Sequence, residues 1–343
     1  MSAASLRRGS KVANRAHIIA EAGTNHGGDI SVARRLIDVA ASSGADSVKF
    51  QLIYPEGLYL PRTYENGAYH ENEVFQLREA ARLNDDEYRE LAAYAVGAGC
   101  PLTLSIFDSR GIRLASELDV AYIKIASCDL NNSRLLVEAA ETGRALVVST
   151  GMASLGEIER AVTDVLATGN ERMVLMHCVS VYPCPTSDMN LHFIKTLREA
   201  FGLPVGLSDH TQQSLAAAVA ISMGATWLEK HFTLDRSAVG FDHAYAMEPT
   251  SLIEYVQDAR SVEEVCSPRQ AKILDAEAGV RTRARRGIWA ARNIEEGAVI
   301  GEEDVLIVRP EGPLEPNDIE ALLGKRAAQR IRQYEALTRD SAC

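Results

Sequence analysis

Residues 204–232 read PVGLSDHTQQSLAAAVAISMGATWLEKHF, with two short apolar runs on either side of a segment of helical character. The first run ends in SDH at 208–210, and the second ends in EKH at 229–231. Apolar runs of this length are typical of buried strands, and strand, helix, strand is the repeating unit of α/β proteins. The stretch therefore predicts two strands that each present polar groups, including a histidine, where they end.

The same unit recurs along most of the chain. Its apolar runs occupy residues 17–23, 47–51, 101–107, 122–127, 145–150, 173–178, 204–209 and 226–232. Eight strand and helix units over roughly 250 residues predict a (β/α)8, or TIM, barrel. The competing architecture, a doubly wound open sheet, is less favoured because no GxGxxG follows the first strand. Residues 52–82 form a long insertion, expected to be a loop or short helix over the barrel mouth.

The repeating pattern breaks near Ser267 and Pro268. Beyond it, short strand-like runs with Gly-bearing turns predict a small β-rich module. The expected organisation is a flexible tail at 1–16, a catalytic barrel at 17–266, a linker at 267–283 and the module at 284–343. The arginines of RTRARR, 281–286, are interpreted as a solvated linker or interface rather than a nucleic-acid patch.

Composition limits the classes of partner. The 343-residue chain has a formal net charge of -11, which disfavours nucleic acid or an anionic membrane surface. Its six cysteines form no CxxC pair and no zinc-type spacing, which indicates free thiols and a cytoplasmic location. The first residues lack the apolar core of a secretory signal, and no apolar run reaches the ~18 residues of a membrane span.

Polar or ionisable side chains follow every predicted strand. One such residue is commonly structural, since a buried serine usually bonds a neighbouring carbonyl and a lone histidine is often a satisfied core residue. In a TIM barrel, however, the carboxyl ends of all strands meet at the active-site face. Convergence therefore predicts a site among the polar residues at the strand ends, which are Glu21, Asn25, His26, Lys49, Gln51, Ser105, Lys124, Ser127, Ser149, Thr150, His177, Ser180, Tyr182, Ser208, Asp209, His210, Glu229, Lys230 and His231.

These residues separate into two chemical groups. His210 and His231, with Glu229 nearby, suit a divalent metal, although two ligands do not complete a site. Lysine charges and serine hydroxyls suit a phosphate or phosphate ester. That group comprises Lys49, Lys124, Ser127, Ser149 and Ser208. The alternative is that the lysines merely pair with Glu21 or Glu229. Asp209 could orient His210 or bond the turn backbone.

Seven motifs, in this order, resemble the sialic acid synthase family. They are IIAEAGTNHGGD, ADSVKFQ, AYIKIAS, STGMAS, HCVSVYPCP, GLSDHT and LEKHFT. RRGIWAARNIEEGAVI resembles the antifreeze-like SAF domain that ends those enzymes. The resemblance implies a TIM barrel followed by a SAF domain. It also implies condensation of phosphoenolpyruvate with an open-chain N-acylated hexosamine and water, giving a nine-carbon 2-keto acid and phosphate by C–O cleavage.

The resemblance also implies roles for individual residues. Mn2+ or Mg2+ would bind His210 and His231, and Glu21, Lys49 and Lys124 would join them in catalysis. Phosphoenolpyruvate would contact Lys49, Ser105, Lys124, Ser127, Ser149 and Ser208. The sugar side would comprise Glu21, Gln51, Ser180, Tyr182, Glu229, Asp242 and Arg309. The family forms domain-swapped homodimers, so Arg309 is expected to reach the other subunit's site.

Several positions depart from the family pattern. Ser105 stands in LSIF where STPF is common, Phe241 replaces the proline of GPD, and Ser180 stands where some members have asparagine. RPEGP alters the turn after Arg309. Either Asn66 or Asn72 could supply the asparagine that contacts the sugar in some members.

The acceptor therefore stays open between N-acetylmannosamine and a 2,4-diacetamido-6-deoxy hexose. Two other functions are compatible with these residues, namely a Schiff-base aldolase using Lys124 or Lys49 and a non-catalytic sugar-binding homologue.

Overall fold

The computed structural model describes residues 15–268 and 273–343, so most of the expected tail and part of the expected linker lie outside the described residues. The strands are β1 (His17–Gly23), β2 (Ser47–Leu52), β3 (Arg62–Glu65), β4 (Ala68–Glu71), β5 (Leu102–Ile106), β6 (Tyr122–Ile125), β7 (Ala145–Ser149), β8 (Met173–His177), β9 (Val205–Asp209), β10 (Trp227–His231), β11 (Gly287–Ala290) and β12 (Val305–Val308). The helices are α1 (Ile30–Ser43), α2 (Pro55–Leu58), α3 (Glu73–Ala80), α4 (Asp85–Gly97), α5 (Ser109–Glu117), α6 (Ser133–Glu141), α7 (Leu155–Ala167), α8 (Phe193–Phe201), α9 (Leu215–Ser222), α10 (Pro249–Cys266) and α11 (Asp275–Ala284).

Eight of these strands close into a parallel barrel in the order β1-β10-β9-β8-β7-β6-β5-β2. The predicted TIM barrel is confirmed, and the open sheet is excluded. Strands covered by helices outside and by side chains inside are buried on both faces, which is why they read as nearly continuous apolar runs. All five residues of β5, β7, β8, β9 and β10 are buried.

Helix ends follow signals that are visible in the sequence. Asp29 caps α1 by accepting a hydrogen bond from the backbone N–H of Ser31 at 2.7 Å. The same helix ends at Gly44, whose left-handed φ of 80° suits a residue without a β-carbon. Gly202 ends α8 in the same conformation, with φ of 65°. Asp29 therefore ends the loop that follows β1, whereas Gly44 and Gly202 begin the loops that lead into β2 and β9.

An apolar layer fills the barrel interior below the carboxyl ends of the strands. It comprises Ile19, Tyr122, Ala145, Val147, Val174, Met176 and Trp227. Successive strand residues face opposite sides, so the residue two positions later shares the inward face. Glu21 therefore stands above Ile19, Ser149 above Val147 and Glu229 above Trp227. The alternation places polar groups at one end of an otherwise apolar barrel.

The insertion after β2 is more structured than the expected loop or short helix. It contains α2, an antiparallel hairpin of β3 and β4, and α3. The hairpin turns at Asn66 and Gly67, whose φ angles are 52° and 83°. Positive φ at both positions explains the Asn-Gly pair, because this pair favours two-residue hairpin turns. The expectation missed the hairpin because the strands are short and exposed.

The chain divides into two compact units after Ser267. The second unit pairs β11 with β12 and has its own core of Ile288, Ala290, Ile294, Ile300, Leu314, Leu322, Ala327, Ile331 and Leu337. Helix α11 occupies much of the segment expected to be a linker. Its start is capped by Glu277, which accepts from the Leu274 N–H at 2.8 Å. Among the described residues, no helix is long and apolar enough to cross a bilayer.

Candidate active site

A buried network of two lysines and two glutamates lies at the carboxyl ends of β1, β2, β6 and β10. Lys49 Nζ lies 2.6 Å from Glu21 Oε2 and 3.7 Å from Glu229 Oε2. Lys124 Nζ lies 3.9 Å from the same Glu229 oxygen. The lysines therefore do pair with glutamates, as the alternative interpretation held. The pairs are not isolated, however, because Glu229 is shared between both lysines.

Each lysine also donates to a serine on the adjacent strand. Lys49 Nζ donates to Ser105 Oγ at 2.7 Å, and Lys124 Nζ donates to Ser149 Oγ at 2.5 Å. All four side chains are buried. The barrel thus brings together four of the residues predicted to hold phosphoenolpyruvate. The ammonium groups of Lys49 and Lys124, with the hydroxyls of Ser105 and Ser149, form a cationic, hydrogen-bonding surface that suits an anion. This surface is called the cationic floor below.

Burial and neighbouring charges give the two glutamates different pKa values. Burial raises the pKa of Glu21 to about 7, against the opposing charge of Lys49. Burial would also raise the pKa of Glu229, but Lys124 and Lys49 outweigh it and hold that pKa at about 2. Gln51 Nε2 donates to Glu21 Oε1 at 3.1 Å. Glu229 is therefore a permanent anion, whereas Glu21 can gain or lose a proton near neutral pH.

A cradle of small side chains surrounds Gly151 after β7. The Gly151 N–H donates to Ser127 Oγ at 3.0 Å. A β-carbon at Gly151 would collide with Ser180 Oγ and would lie 2.8 Å from Cys178 Sγ and 2.9 Å from Ser127 Oγ. Only glycine leaves this space open. Ser180, predicted to be on the sugar side, therefore has its hydroxyl beside Ser127, which belongs to the predicted phosphoenolpyruvate group.

His210 and His231 lie side by side at the ends of β9 and β10, with ring centroids 5.5 Å apart. His210 Nδ1 bonds the Val179 carbonyl at 2.7 Å, so Nδ1 carries the proton and Nε2 keeps a lone pair. His231 Nδ1 is buried without a hydrogen-bond partner, 3.9 Å from Asp242 Oδ2. Burial lowers the pKa of both imidazoles, that of His210 to about 4. Both rings are therefore neutral.

The other polar residues of LSDHT have separate partners. Ser208 Oγ donates to Glu229 Oε1 at 2.8 Å and lies 3.5 Å from His210 Nε2, so it connects the charged network to the histidines. Asp209 Oδ1 accepts from both the backbone N–H and the hydroxyl of Thr211 at 2.8 Å. Asp209 therefore bonds the turn, and Val179 rather than Asp209 orients His210.

The two imidazoles fit a divalent metal as partial ligands. Neutral rings with an available nitrogen are the ligating form of histidine, and the backbone carbonyl behind His210 fixes its tautomer. Across residues 15–268 and 273–343, no three His, Cys, Asp or Glu side chains are grouped to hold an ion by themselves.

Aromatic rings and an acidic group surround the histidines. The Tyr182 ring lies 4.1 Å from the His210 ring and 4.9 Å from the Tyr245 ring, centroid to centroid. Tyr245 Oη donates to Asp242 Oδ1. Tyr182 and Asp242 are thus placed beside His231 as well, where the sugar side was predicted. Sequence reasoning missed Tyr245, although it follows Asp242 by three residues in a short 3-10 turn.

Other polar candidates have local structural roles or lie elsewhere. Arg309 is an exposed residue of the second unit, directly after β12. Asn66 occupies the β3–β4 turn, and Asn72 caps α3 by accepting from the Val74 N–H at 3.0 Å. His177 Nε2 bonds the Met189 carbonyl at 2.7 Å, so this strand-end histidine is a satisfied core residue.

A closed α/β barrel with ion pairs, imidazoles and hydroxyls at one end has the construction of a barrel enzyme. Residues 36–270 match the NeuB family, and residues 285–340 match the SAF domain. The N,N'-diacetyllegionaminic acid synthase of Legionella pneumophila is 36% identical over 324 residues, covering 92% of this chain and 91% of that protein. The N-acetylneuraminate-9-phosphate synthase of Homo sapiens is 32% identical, covering 93% of this chain and 90% of that protein.

A solved structure agrees with these relatives. The N-acetylneuraminic acid (sialic acid) synthetase from Leptospira borgpetersenii superposes with a TM-score of 0.70 at 33% identity, covering 78% of this chain and 90% of that one. The chain therefore belongs to the NeuB family, with a C-terminal SAF domain. This confirms the resemblance, and relatives named as legionaminic, pseudaminic and sialic acid synthases support an enzyme that makes nonulosonic acids.

Proposed function

We propose that the chain is a phosphoenolpyruvate-dependent nonulosonic acid synthase. It condenses phosphoenolpyruvate with an open-chain N-acylated hexosamine and water, releasing phosphate. The observation that supports this most directly is the pairing of Lys49 with Ser105 and of Lys124 with Ser149, next to the paired imidazoles of His210 and His231. Ser208 joins the two groups by contacting both Glu229 and His210. An anion site and an electrophile site at one barrel mouth suit the joining of an enol phosphate to an aldehyde.

The anionic substrate is held by the cationic floor. Lys49 and Lys124 contribute two positive charges in a buried site, where electrostatic stabilisation is stronger than in water. Burial lowers the pKa of Lys124, and the Glu229 carboxylate opposes that shift; against burial, Glu21 and Glu229 together raise the pKa of Lys49. The Gly151 cradle gives Ser127 and Ser180 room to donate hydroxyl hydrogen bonds to phosphate or carboxylate oxygens.

The acceptor lies on the histidine side. Mn2+ or Mg2+ held by His210 and His231 would supply a Lewis acid for the aldehyde oxygen. Tyr182, Gln51 and Asp242 position the hydroxyl and amide groups of the open-chain sugar. The orientation matters because the aldehyde carbon must meet C3 of the enol phosphate within reacting distance.

Glu21 moves the protons of the reaction. C3 of phosphoenolpyruvate forms a bond to the aldehyde carbon, and the aldehyde oxygen takes a proton from Glu21. Water then adds to the C2 cation and returns a proton to Glu21. The bond between C2 and the bridging oxygen then breaks, and phosphate leaves with that oxygen. The new C2 hydroxyl gives its proton to the departing phosphate, and C2 becomes the ketone carbon. A pKa of about 7 suits a group that must act in both directions.

The proposed synthase function can be tested by measuring phosphate release. The purified protein, phosphoenolpyruvate and Mn2+ should release phosphate only when N-acetylmannosamine or a 2,4-diacetamido-6-deoxy hexose is added. Phosphoenolpyruvate labelled with 18O at the bridging oxygen should give labelled phosphate and an unlabelled nine-carbon keto acid. Label retained in the keto acid would contradict C–O cleavage. No phosphate release with any N-acylated hexosamine would contradict the function.

A Schiff-base aldolase is the second candidate, because burial lowers the pKa of Lys124. Its ammonium group is, however, bound to Ser149 and the Ile125 carbonyl and lies 3.9 Å from a permanent carboxylate. Those partners stabilise the charged form rather than the amine. Borohydride should therefore fail to trap a keto-acid adduct on Lys124, and successful trapping would favour the aldolase.

We further propose, from the resemblance, a cytoplasmic homodimer in which Arg309 of one subunit completes the site of the other. Mixing Arg309→Ala protein with His210→Ala protein should then restore part of the activity, because a mixed dimer carries one intact site. Light scattering should report twice the chain mass. A fully active monomer would contradict this assembly.

A further inference from the structure

A buried ion pair lies behind the two histidines, and the proposed mechanism does not use it. Asp209 ends β9 directly before His210, and Lys230 lies on β10 directly before His231. The two strands are neighbours, and Lys230 is paired with Asp209 in the register of the sheet. Because successive strand residues face opposite sides, both side chains point to the outer face of the barrel, away from the inward-facing residues next to them.

The Lys230 ammonium group contacts both residues that flank His210. Its Nζ lies 3.1 Å from Asp209 Oδ2 and donates to the backbone carbonyl of Thr211. It also lies 5.3 Å from the centroid of the Tyr255 ring, which belongs to α10. Lys230 is only 2% exposed and Asp209 only 1% exposed. One buried ammonium group on β10 therefore connects that strand to the backbone on either side of His210.

The second oxygen of Asp209 stabilises the same turn from within. Asp209 Oδ1 accepts from the backbone N–H and the hydroxyl of Thr211, both at 2.8 Å. Its carboxylate thus bonds the turn through one oxygen and the ammonium group of Lys230 through the other. The residue before His231 and the turn that carries His210 are joined through these polar contacts.

Stability alone is a weak explanation for this ion pair. The desolvation of two buried charges offsets most of their attraction, and apolar side chains of similar volume often stabilise a fold equally well. Hydrogen bonds and ion pairs have preferred directions, however, whereas apolar packing tolerates small displacements. The segments that this pair joins each carry one of the predicted metal ligands. Side chains that hold ligands in place from outside the first coordination shell commonly control metal affinity.

We propose that Lys230 and Asp209 are positioning residues that fix the backbone segments of His210 and His231 relative to each other, so that the two imidazoles meet one metal ion. The inference rests on the metal site of the proposed function and extends it to residues behind the histidines. The Val179 carbonyl sets the tautomer of His210. The ion pair sets where that ring stands relative to the ring of His231.

Binding of Mn2+ alone tests this role without any substrate. Electron paramagnetic resonance detects the unbound ion and gives its Kd for the purified protein. Lys230→Met should raise that Kd at least about tenfold, because losing a residue that orients metal ligands typically costs about 10- to 100-fold in affinity. An unchanged Kd would overturn the proposal.

Phosphoenolpyruvate affinity shows whether the effect is confined to the metal ligands. Calorimetry without metal should give the same affinity for Lys230→Met as for the wild type, because Lys230 faces away from the cationic floor. Equal losses of Mn2+ and phosphoenolpyruvate affinity would assign Lys230 to general packing of the barrel and would overturn the positioning role.

A double variant separates positioning from stability. Lys230→Met alone leaves the Asp209 carboxylate buried without its partner, which destabilises the fold. Asp209→Asn combined with Lys230→Met removes both charges and keeps an oxygen that can accept from the Thr211 N–H. We expect its urea midpoint to recover toward the wild-type value while its Kd for Mn2+ stays at least about tenfold raised. Recovery of both quantities would overturn the proposal. If Lys230→Met does not fold, the double variant provides the test.

Arg260→Met is the matched control. Arg260 on α10 also forms an ion pair, with its Nη2 2.5 Å from Asp46 Oδ2. Asp46 directly precedes β2 and therefore lies at the amino end of the barrel strands, opposite the histidines. Arg260→Met should lower the urea midpoint and leave the Kd for Mn2+ unchanged. A raised Kd in this control would show that destabilisation alone weakens metal binding, which would overturn the proposal.

Failure of this inference can be distinguished from failure of the proposed function. A raised Kd for Mn2+ in Lys230→Met and in the double variant would support the positioning role even if no N-acylated hexosamine gave phosphate release. That absence of release would contradict the synthase function alone. A wild-type protein that binds no Mn2+ would contradict the metal site, and this inference with it.

Discussion

Replacing Glu21 by Gln should change how stability depends on pH. Burial raises the pKa of this carboxyl from 4.5 to about 7 in the folded protein. At about 1.4 kcal/mol per pKa unit, ionising Glu21 in the fold costs about 3 kcal/mol more than ionising it in the unfolded chain. Because the folded state binds more protons between those values, the contribution of Glu21 to stability falls as pH rises from 4.5 to 7 and is constant above.

Glutamine cannot ionise, so it removes that slope. Urea unfolding at half-unit steps from pH 4.5 to pH 8 measures the free energy of unfolding of both proteins. The difference, wild type minus Glu21→Gln, should fall by up to about 3 kcal/mol between pH 4.5 and 7. The matched control Glu159→Gln, on the exposed face of α7, should give no such change. Parallel wild-type and Glu21→Gln profiles would show that folding does not raise the pKa of Glu21.

The same substitution should affect catalysis separately. If Glu21 transfers protons, its loss should lower kcat by about 10^2- to 10^4-fold while leaving phosphoenolpyruvate binding largely intact. The kcat/KM profile of the wild type should bend near pH 7, and the bend should be absent in the variant. A variant with wild-type kcat would assign the proton transfers to another group.

Three further predictions address the rest of the site. Lys124→Met should lower kcat/KM for phosphoenolpyruvate at least about 100-fold in the phosphate assay, because it removes a buried charge, whereas Lys195→Met on α8 should be neutral. Gly151→Ala should raise KM for phosphoenolpyruvate about tenfold and lower the free energy of unfolding in urea by about 1–3 kcal/mol. The reason is that its β-carbon would lie 2.8 Å from Cys178 Sγ. A wild-type KM would contradict the role of the space around Gly151. Chelation should abolish activity and Mn2+ should restore it, but Mn2+ should not restore folded His210→Ala; full activity in the chelated enzyme would exclude the metal site.

The positions of the barrel strands could be predicted because each is a short apolar run that helices cover. The eight strands of the structure fall within one residue of the runs at both ends, apart from β6, which ends two residues early. The hairpin of the insertion was missed for the opposite reason. Its side chains are largely exposed, so no burial pattern marks β3 or β4.

The residues of the site could be predicted as a group because strand ends meet at one face of a barrel. Their partners could not. Nothing in the order of residues shows that Lys49 would share Glu229 with Lys124, or that Asp209 would bond Thr211 rather than orient His210. Those partners depend on distances between strands that are far apart in the chain.

The amino-acid pattern was sufficient for the barrel, the SAF domain and the set of polar groups at the strand ends, because each is encoded in local periodicity and motif. The proton affinity of Glu21, the neutral state of His210 and the sharing of Glu229 by Lys49 and Lys124 arise only on folding. They depend on burial and on charges brought within a few ångströms by different strands and helices. LSDHT shows both levels, since its histidine was visible in the sequence while the three different roles of its serine, aspartate and histidine required the packed neighbours.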